Sequence, residues 1–301
     1  MSENTENKEL NVEETVEDNS TIESTGEIVE KCPISASEKK SGVAYGEYGH
    51  DTYFSKTCNM ERAYSFLLPA NYDENKKYPV MYLLHGIFGD ENSFPSDSNN
   101  KIKEIFGNLS SEGRTREWIV IMPNMFAKDK PEQAPGFSAE GVWPYDNFIN
   151  DLVNDLMPTV EERYSVLTGR DNTAIAGFSM GGRETLYISV SRPDLFSFAC
   201  AIAPAPGVVP GKDNFMVHEG TISEEAFVYP KEGDENELKL LIVCAGDHDS
   251  VVGKFPLSYH TILEGNGSKH IWFEVPGADH DNTAIKSGIY NFLIQIEECS
   301  K

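Results

Sequence analysis

The sequence predicts an α/β protein built on a mostly parallel, doubly wound sheet flanked by helices. Three observations carry this. Short, almost wholly apolar runs recur along the chain, as expected of strands buried on both faces: PVMYLL at 79–84, WIVIMP at 118–123 and LKLLIVCA at 238–245. Segments of helical period alternate with them, at 148–164 and 284–297. A glycine-rich hexapeptide, GFSMGG at 177–182, joins a strand-like run (173–176) directly to a helix-like one (183–188). Strands alternating with helices favour parallel pairing through crossovers.

The elements follow in order. Residues 1–30 hold ten Asp or Glu, one Lys and no aromatic residue, so they carry −9 of a net charge of −24. Such a segment buries too little apolar surface to offset its chain entropy. The division expected is a disordered acidic tail over 1–40 and one domain over 41–301. Residues 63–68 (AYSFLL) alternate and stop at Pro69, which suits an early antiparallel strand. The run at 79–84 is a central strand, followed by the loop HGIFG at 85–89. A further strand covers 118–123. Apolar residues at 148, 149, 152, 156, 157 and 160 mark one helix over 148–164. Strands follow at 173–176, 196–202, 238–245 and 269–275. A closing helix over 284–297 carries Ile285, Ile289, Phe292, Leu293 and Ile296 on one face. Two connections, 124–147 and 205–237, are longer than joining elements requires. Both leave carboxyl ends of strands, where open α/β sheets bind ligands, so they are the expected walls of a site.

Composition narrows the function. The acidic balance argues against nucleic acid and anionic membrane as partners. No run of 18 or more apolar residues spans a membrane. No basic start with an apolar core is visible, so a cytoplasmic location is expected, or a secreted one if a signal segment has been removed. The five cysteines fall at 32, 58, 200, 244 and 299 and show no metal-binding spacing. Cys200 and Cys244 read as core thiols, whereas Cys32 and Cys58 are free to pair. No phosphate loop, dinucleotide fingerprint or metal site is legible, so no cofactor and no metal are expected.

G-x-S-x-G between strand and helix is the nucleophile elbow of the α/β-hydrolase fold. The serine sits on a turn too tight for bulky neighbours, and glycine at 177 and 181 removes the side chains that would block it. Ser179 is therefore the candidate nucleophile. Met180 N–H, at the start of the helix, is a candidate oxyanion donor. The second donor comes from the loop after the earlier central strand, which places it at Ile87 N–H in HGIFG. A serine hydroxyl needs a histidine base and a carboxylate to orient it, in the chain order Ser, Asp or Glu, His. The strand at 238–245 runs into GDHDS, where Asp247 and Asp249 both qualify. The last strand runs into PGADHD, which supplies His280; His248 is its only serious rival, and His85 is expected to pack beneath the oxyanion loop.

Five stretches together resemble the feruloyl-esterase and acetylxylan-esterase family: YPVMYLLHGIFGDENSF (78–94), INDLVNDLMPTVEERYSV (149–166), AIAGFSMGGRETLYI (174–188), LIVCAGDHDS (241–250) and PGADHDNTAIKSGIYNFL (276–293). These are esterase-D-like α/β-hydrolases of carbohydrate esterase family 1 that trim plant cell-wall polysaccharides. The likeness runs from about 43 to 298. That family's Gly-x-x-Asp-Ser loop maps onto 246–250 and selects Asp249 over Asp247. The resemblance implies hydrolysis of feruloyl or acetyl esters of xylan or its oligosaccharides, without cofactor, by Ser179, His280 and Asp249 through an acyl-enzyme. An aromatic residue frequent in the family after the histidine is replaced by Asn282-Thr283, which leaves the acyl preference open. Phe88, Trp143 and Tyr145 are candidate substrate contacts. The aromatic residues of 124–147, Phe126 and Phe137 among them, serve equally well to stack on substrate or to pack the loop. Asp90 and Glu91 disfavour an anionic substrate. Two other readings stand beside this one: a small-molecule thioesterase or S-formylglutathione-hydrolase-like esterase, and a non-catalytic carbohydrate-binding relative. An acyltransferase using the same triad would differ only in excluding water.

Overall fold

A computed structural model describes residues 27–130 and 132–300. The elements are α1 (Ile34–Ser37), β1 (Tyr48–Ser55), β2 (Met60–Leu67), β3 (Val80–Leu84), α2 (Ile102–Ser111), β4 (Ile119–Pro123), α3 (Ala139–Asp146), α4 (Phe148–Asp151), α5 (Met157–Arg163), β5 (Thr173–Phe178), α6 (Met180–Ser191), β6 (Phe198–Ile202), β7 (Gly211–Lys212), β8 (Val217–His218), β9 (Leu240–Gly246), α7 (Phe255–Gly265), β10 (Ile271–Val275) and α8 (Asn282–Glu298). Eight strands form one sheet in the order β1-β2-β4-β3-β5-β6-β9-β10. In this sheet β1 and β2 pair antiparallel at one edge, β2 runs antiparallel to β4, and every other pairing is parallel, whereas β7 and β8 form a separate antiparallel pair.

The apolar runs are apolar throughout because both faces are covered. On β3, Val80, Tyr82 and Leu84 join the core that includes Leu186 of α6 and Tyr259 of α7. Met81 and Leu83 point the other way, into a core with Ile105 of α2 and Ile289 of α8. β9 divides in the same way, Leu241 and Val243 against Leu240, Ile242 and Cys244. Period-2 alternation thus sorts two apolar sets to two layers of helices.

Two expectations need correction. The helix expected over 148–164 is interrupted: residues 152–156 form a π-helical turn between α4 and α5. Pro158 stands at the start of α5, has no N–H to donate, and its ring would crowd the carbonyl four residues earlier; widening the preceding turn relieves this. The tail was expected to reach residue 40, but the chain is packed from residue 29 onward. Asn291 of α8 accepts the Val29 N–H at 2.9 Å and donates to its carbonyl at 2.8 Å, and Cys32 N–H reaches Ser287 Oγ at 3.0 Å. Asn108 of α2 holds the carbonyls of Ala36 and Glu38. Most of the acidic tail, residues 1–26, lies outside the described residues. All five cysteines are free, so the pairing left open for Cys32 and Cys58 is not made.

Both long connections are anchored by buried arginines. Arg62 on β2 donates to Asp151 at 2.9 Å, to the Phe126 carbonyl at 2.8 Å and to the Asn124 carbonyl, which fixes the start of the 124–147 wall. Arg183 on α6 binds Asp146 of that wall at 2.5 Å and the Gly207 carbonyl of the 205–237 wall at 3.1 Å. It also donates to the buried Glu184 and to Met180 Sδ at 4.0 Å. One guanidinium beside the elbow therefore ties both walls to the helix that carries it.

Candidate active site

Ser179 lies between the last residue of β5 and the first of α6, with φ 59° and ψ −117°. A non-glycine residue there is strained, and the surroundings hold it. Its N–H donates to Ile202 O at 2.9 Å, and its carbonyl accepts from Arg183 at 3.0 Å and Ala205 at 3.0 Å. The flanking glycines are required by close approach. A Cβ on Gly177 would stand 2.2 Å from Gly181 O, and one on Gly181 would stand 2.1 Å from Leu84 O. The β3 loop passes beside the serine, so that a Cβ at Gly86 would lie 3.5 Å from Ser179 Cβ.

The carboxylate and the base follow neighbouring strands. Asp249 comes three residues after β9 and His280 five after β10, and Asp249 Oδ2 meets His280 Nδ1 at 2.8 Å. The Asp249 side chain is almost fully buried. Its Oδ1 accepts the N–H groups of Val251 at 3.0 Å and Val252 at 2.9 Å, which fixes the carboxylate plane. With Nδ1 donating to this carboxylate, Nε2 is the nitrogen left to accept a proton. The ring of Phe178, the residue before the serine, lies 4.3 Å from the imidazole. Among the described residues Ser179 Oγ has no hydrogen-bond partner; catalytic hydrogen bonds commonly tighten only once substrate is bound.

The two other candidates for acid and base are placed elsewhere. Asp247 pairs with His248 at 2.7 Å and accepts Gly277 N–H at 2.6 Å. Across the same junction Asp279 accepts Ser250 N–H at 2.7 Å, Ser250 Oγ at 2.9 Å and His280 N–H at 2.8 Å. Asp247 and Asp279 thus latch the acid loop to the histidine loop beside the Asp249–His280 bond. Sequence reasoning missed Asp279 in this role, although its place beside the histidine was the available signal.

In the loop after β3, His85 is buried. Its Nε2 accepts Met125 N–H at 2.9 Å and its Nδ1 faces Gly86 O at 2.7 Å, so it pins the loop as a neutral ring. Burial pushes its pKa down to about 4. The unfolded chain therefore binds a proton that the folded chain refuses between about pH 6.5 and 4, and stability falls as pH drops through that window. The contribution is about 3 kcal/mol. Urea unfolding at pH 7 and at pH 4.5 should show a larger loss for the native chain than for His85→Gln.

The candidate oxyanion donors are both at hand. Met180 N–H starts α6, and among the described residues neither it nor Ile87 N–H has an acceptor. The next residue, Phe88, has φ 64°, and its N–H is held by the Tyr145 hydroxyl at 3.1 Å. This corrects the placing of Tyr145 among substrate contacts. Its side chain is fully buried, and it shapes the oxyanion loop by hydrogen bonding. Tyr145→Phe should lower kcat about tenfold with KM little changed, because the loop would lose one fixed point and not a substrate contact. Phe88 and Trp143 remain available, at 57% and 44% exposure. Phe88 meets Phe137 edge-on at 5.4 Å, and Phe137 stacks on Phe215 at 4.5 Å, which forms an exposed aromatic rim joining both walls to the oxyanion loop. Phe215 was not singled out in the sequence, since nothing local marks it as a neighbour of Phe137.

The Esterase family model ("Putative esterase") matches residues 55–260. Among solved structures, the chain is 46% identical to a CE1 ferulic acid esterase, AmCE1/Fae1A from Anaeromyces mucronatus, in complex with ferulic acid; the match covers 90% of this chain and 99% of that one, with a TM-score of 0.84. The substrate-free structure of the same enzyme gives 45% identity, 91% and 99% coverage, and a TM-score of 0.83. A curated relative, an endo-1,4-beta-xylanase/feruloyl esterase of Xylanibacter ruminicola, is 28% identical over 164 residues. That match takes in 53% of this chain and 22% of the relative, so it spans a little under a quarter of that larger protein. The elbow, the sheet order and these matches agree: the chain belongs to the Esterase family of α/β-hydrolases, together with the CE1 ferulic acid esterases.

Proposed function

We propose that this esterase releases feruloyl groups from hemicellulose or its oligosaccharides through a serine acyl-enzyme. The observation that carries the mechanism is the Asp249–His280 hydrogen bond, formed by the loops after β9 and β10 on the same sheet that presents the elbow serine. Ser179 Oγ attacks the ester carbonyl while His280 Nε2 takes its proton. Ile87 and Met180 N–H stabilise the tetrahedral oxyanion, each donor being worth roughly 3 kcal/mol of barrier. The imidazolium, steadied by buried Asp249, then gives its proton to the leaving alcohol oxygen. Water, deprotonated by the same histidine, attacks the acyl-serine; the acid departs and Ser179 is restored.

The preference for an aromatic acyl group rests on the rim of Phe88, Phe137 and Phe215, which offers ring faces and edges beside the oxyanion loop, and on the likeness to ferulic acid esterases. Hydrolysis of methyl ferulate beside 4-nitrophenyl acetate tests it. Efficient turnover of methyl ferulate is expected. Turnover of the acetate alone would keep the mechanism and move the substrate to acetyl esters.

A further inference from the structure

The reaction has two halves, and the alcohol half also needs a place to sit. Its side is fixed by chemistry. His280 Nε2 protonates the leaving oxygen, so the alcohol must lie next to the imidazole. A cleft of about 400 Å³ opens there, with His280 and Gly86 in its lining, between the 93–100 segment and the first turn of α8. We propose that this cleft is the leaving-group subsite and that it takes a neutral saccharide. The inference rests on the esterase reading above but not on the identity of the acyl group.

The chemistry of the lining argues for that ligand. Asp97, Asp281, Asn282 and Ser93 supply hydrogen-bonding groups, and no lysine or arginine lines the cleft. Carboxylates suit a ligand rich in hydroxyl donors and repel one that carries its own carboxylate. The Phe178 ring adds an apolar surface of the kind a sugar's C–H face covers. The wall is also built in advance. Asp97 Oδ2 accepts the Asn282 amide at 2.7 Å and its Oδ1 accepts Asn99 N–H at 2.9 Å, which pins the segment to α8. Each oxygen keeps a further lone pair for a hydroxyl. Asp281 caps α8 through Thr283 N–H at 2.7 Å, so its position is set by the helix. Asp97 and Asp281 are therefore already held in place when the sugar enters, which favours binding. At about 400 Å³ the cleft falls within the usual range for small-ligand sites, roughly 300–1,000 Å³.

The test is a ratio of two kcat/KM values, feruloylated arabinoxylo-oligosaccharide over methyl ferulate, measured for the native chain, Asp97→Ala and Asp97→Asn. The alanine variant should lower the ratio about tenfold, mainly through KM for the oligosaccharide ester. The asparagine variant keeps the shape and loses the charge, so it should accept a uronic-acid-substituted oligosaccharide better than the native chain does. A ratio that stays unchanged in Asp97→Ala, whether both substrates suffer equally or neither does, would overturn the assignment. The same ratio is read on acetylated xylo-oligosaccharide over 4-nitrophenyl acetate. Failure of the feruloyl reading would show as no ferulate release by the native chain, with this second ratio still reporting on the subsite.

Discussion

Ser179→Ala is expected to lower methyl ferulate turnover by at least about 10⁴-fold, with the fold retained. The prediction follows from what the hydroxyl does and from what the backbone does without it. The oxygen alone supplies the nucleophile. The turn itself is held by Ile202 O and by the N–H groups of Arg183 and Ala205, all bonded to the serine's backbone. Alanine fits the space, so thermal unfolding should stay within a few degrees of the native value, as for a change that leaves packing and backbone pairing intact. An alanine variant that still turned over the ester at native rates would remove the serine mechanism altogether.

Asp249→Asn should cost about 10³- to 10⁴-fold in kcat, and Asp247→Asn less than about tenfold. Asp249 accepts three hydrogen bonds, two from Val251 and Val252 N–H and one from His280 Nδ1. An asparagine can present its oxygen to only one of these sets. Turned towards the valines, it faces the imidazole with an N–H₂ group and forces the wrong tautomer; turned towards the imidazole, it sets donor against donor in the loop. Asp247 accepts from Gly277 N–H and pairs with His248, makes no bond to His280, and as asparagine keeps an acceptor for Gly277. Steady-state kcat for the two variants decides the matter. The reverse ranking would move the acid by two residues and break the assignment of the Asp249–His280 pair.

Much of this was legible in the sequence because it is enforced locally. Strands covered on both faces must be apolar at every position, which is why β3, β4 and β9 declare themselves. The elbow is legible because Gly177 and Gly181 face backbone oxygens at distances no Cβ tolerates. What stayed hidden depends on contacts between distant segments. Tyr145 reads as an aromatic residue in a site wall, and only its burial and its bond to Phe88 N–H show that it supports the loop. Residues 27–40 look like a continuation of the acidic tail; what docks them is pairing with Asn291, Ser287 and Asn108, far along the chain. β1 (residues 48–55) escapes notice because it lies at the sheet edge, half exposed and without an unbroken apolar run. The π-helical turn before Pro158 is a middle case, since a proline inside a helical period signals an interruption without saying which form it takes.

The claim on which the rest depends is that Ser179 is the residue acylated during turnover. Its most direct measurement is to treat the chain with an alkyl fluorophosphonate, locate the label by peptide mass spectrometry and follow the remaining methyl ferulate turnover. The account predicts one phosphonyl group on Ser179 and loss of turnover in proportion to labelling. Label on another residue, or full turnover by protein labelled at Ser179, would contradict it.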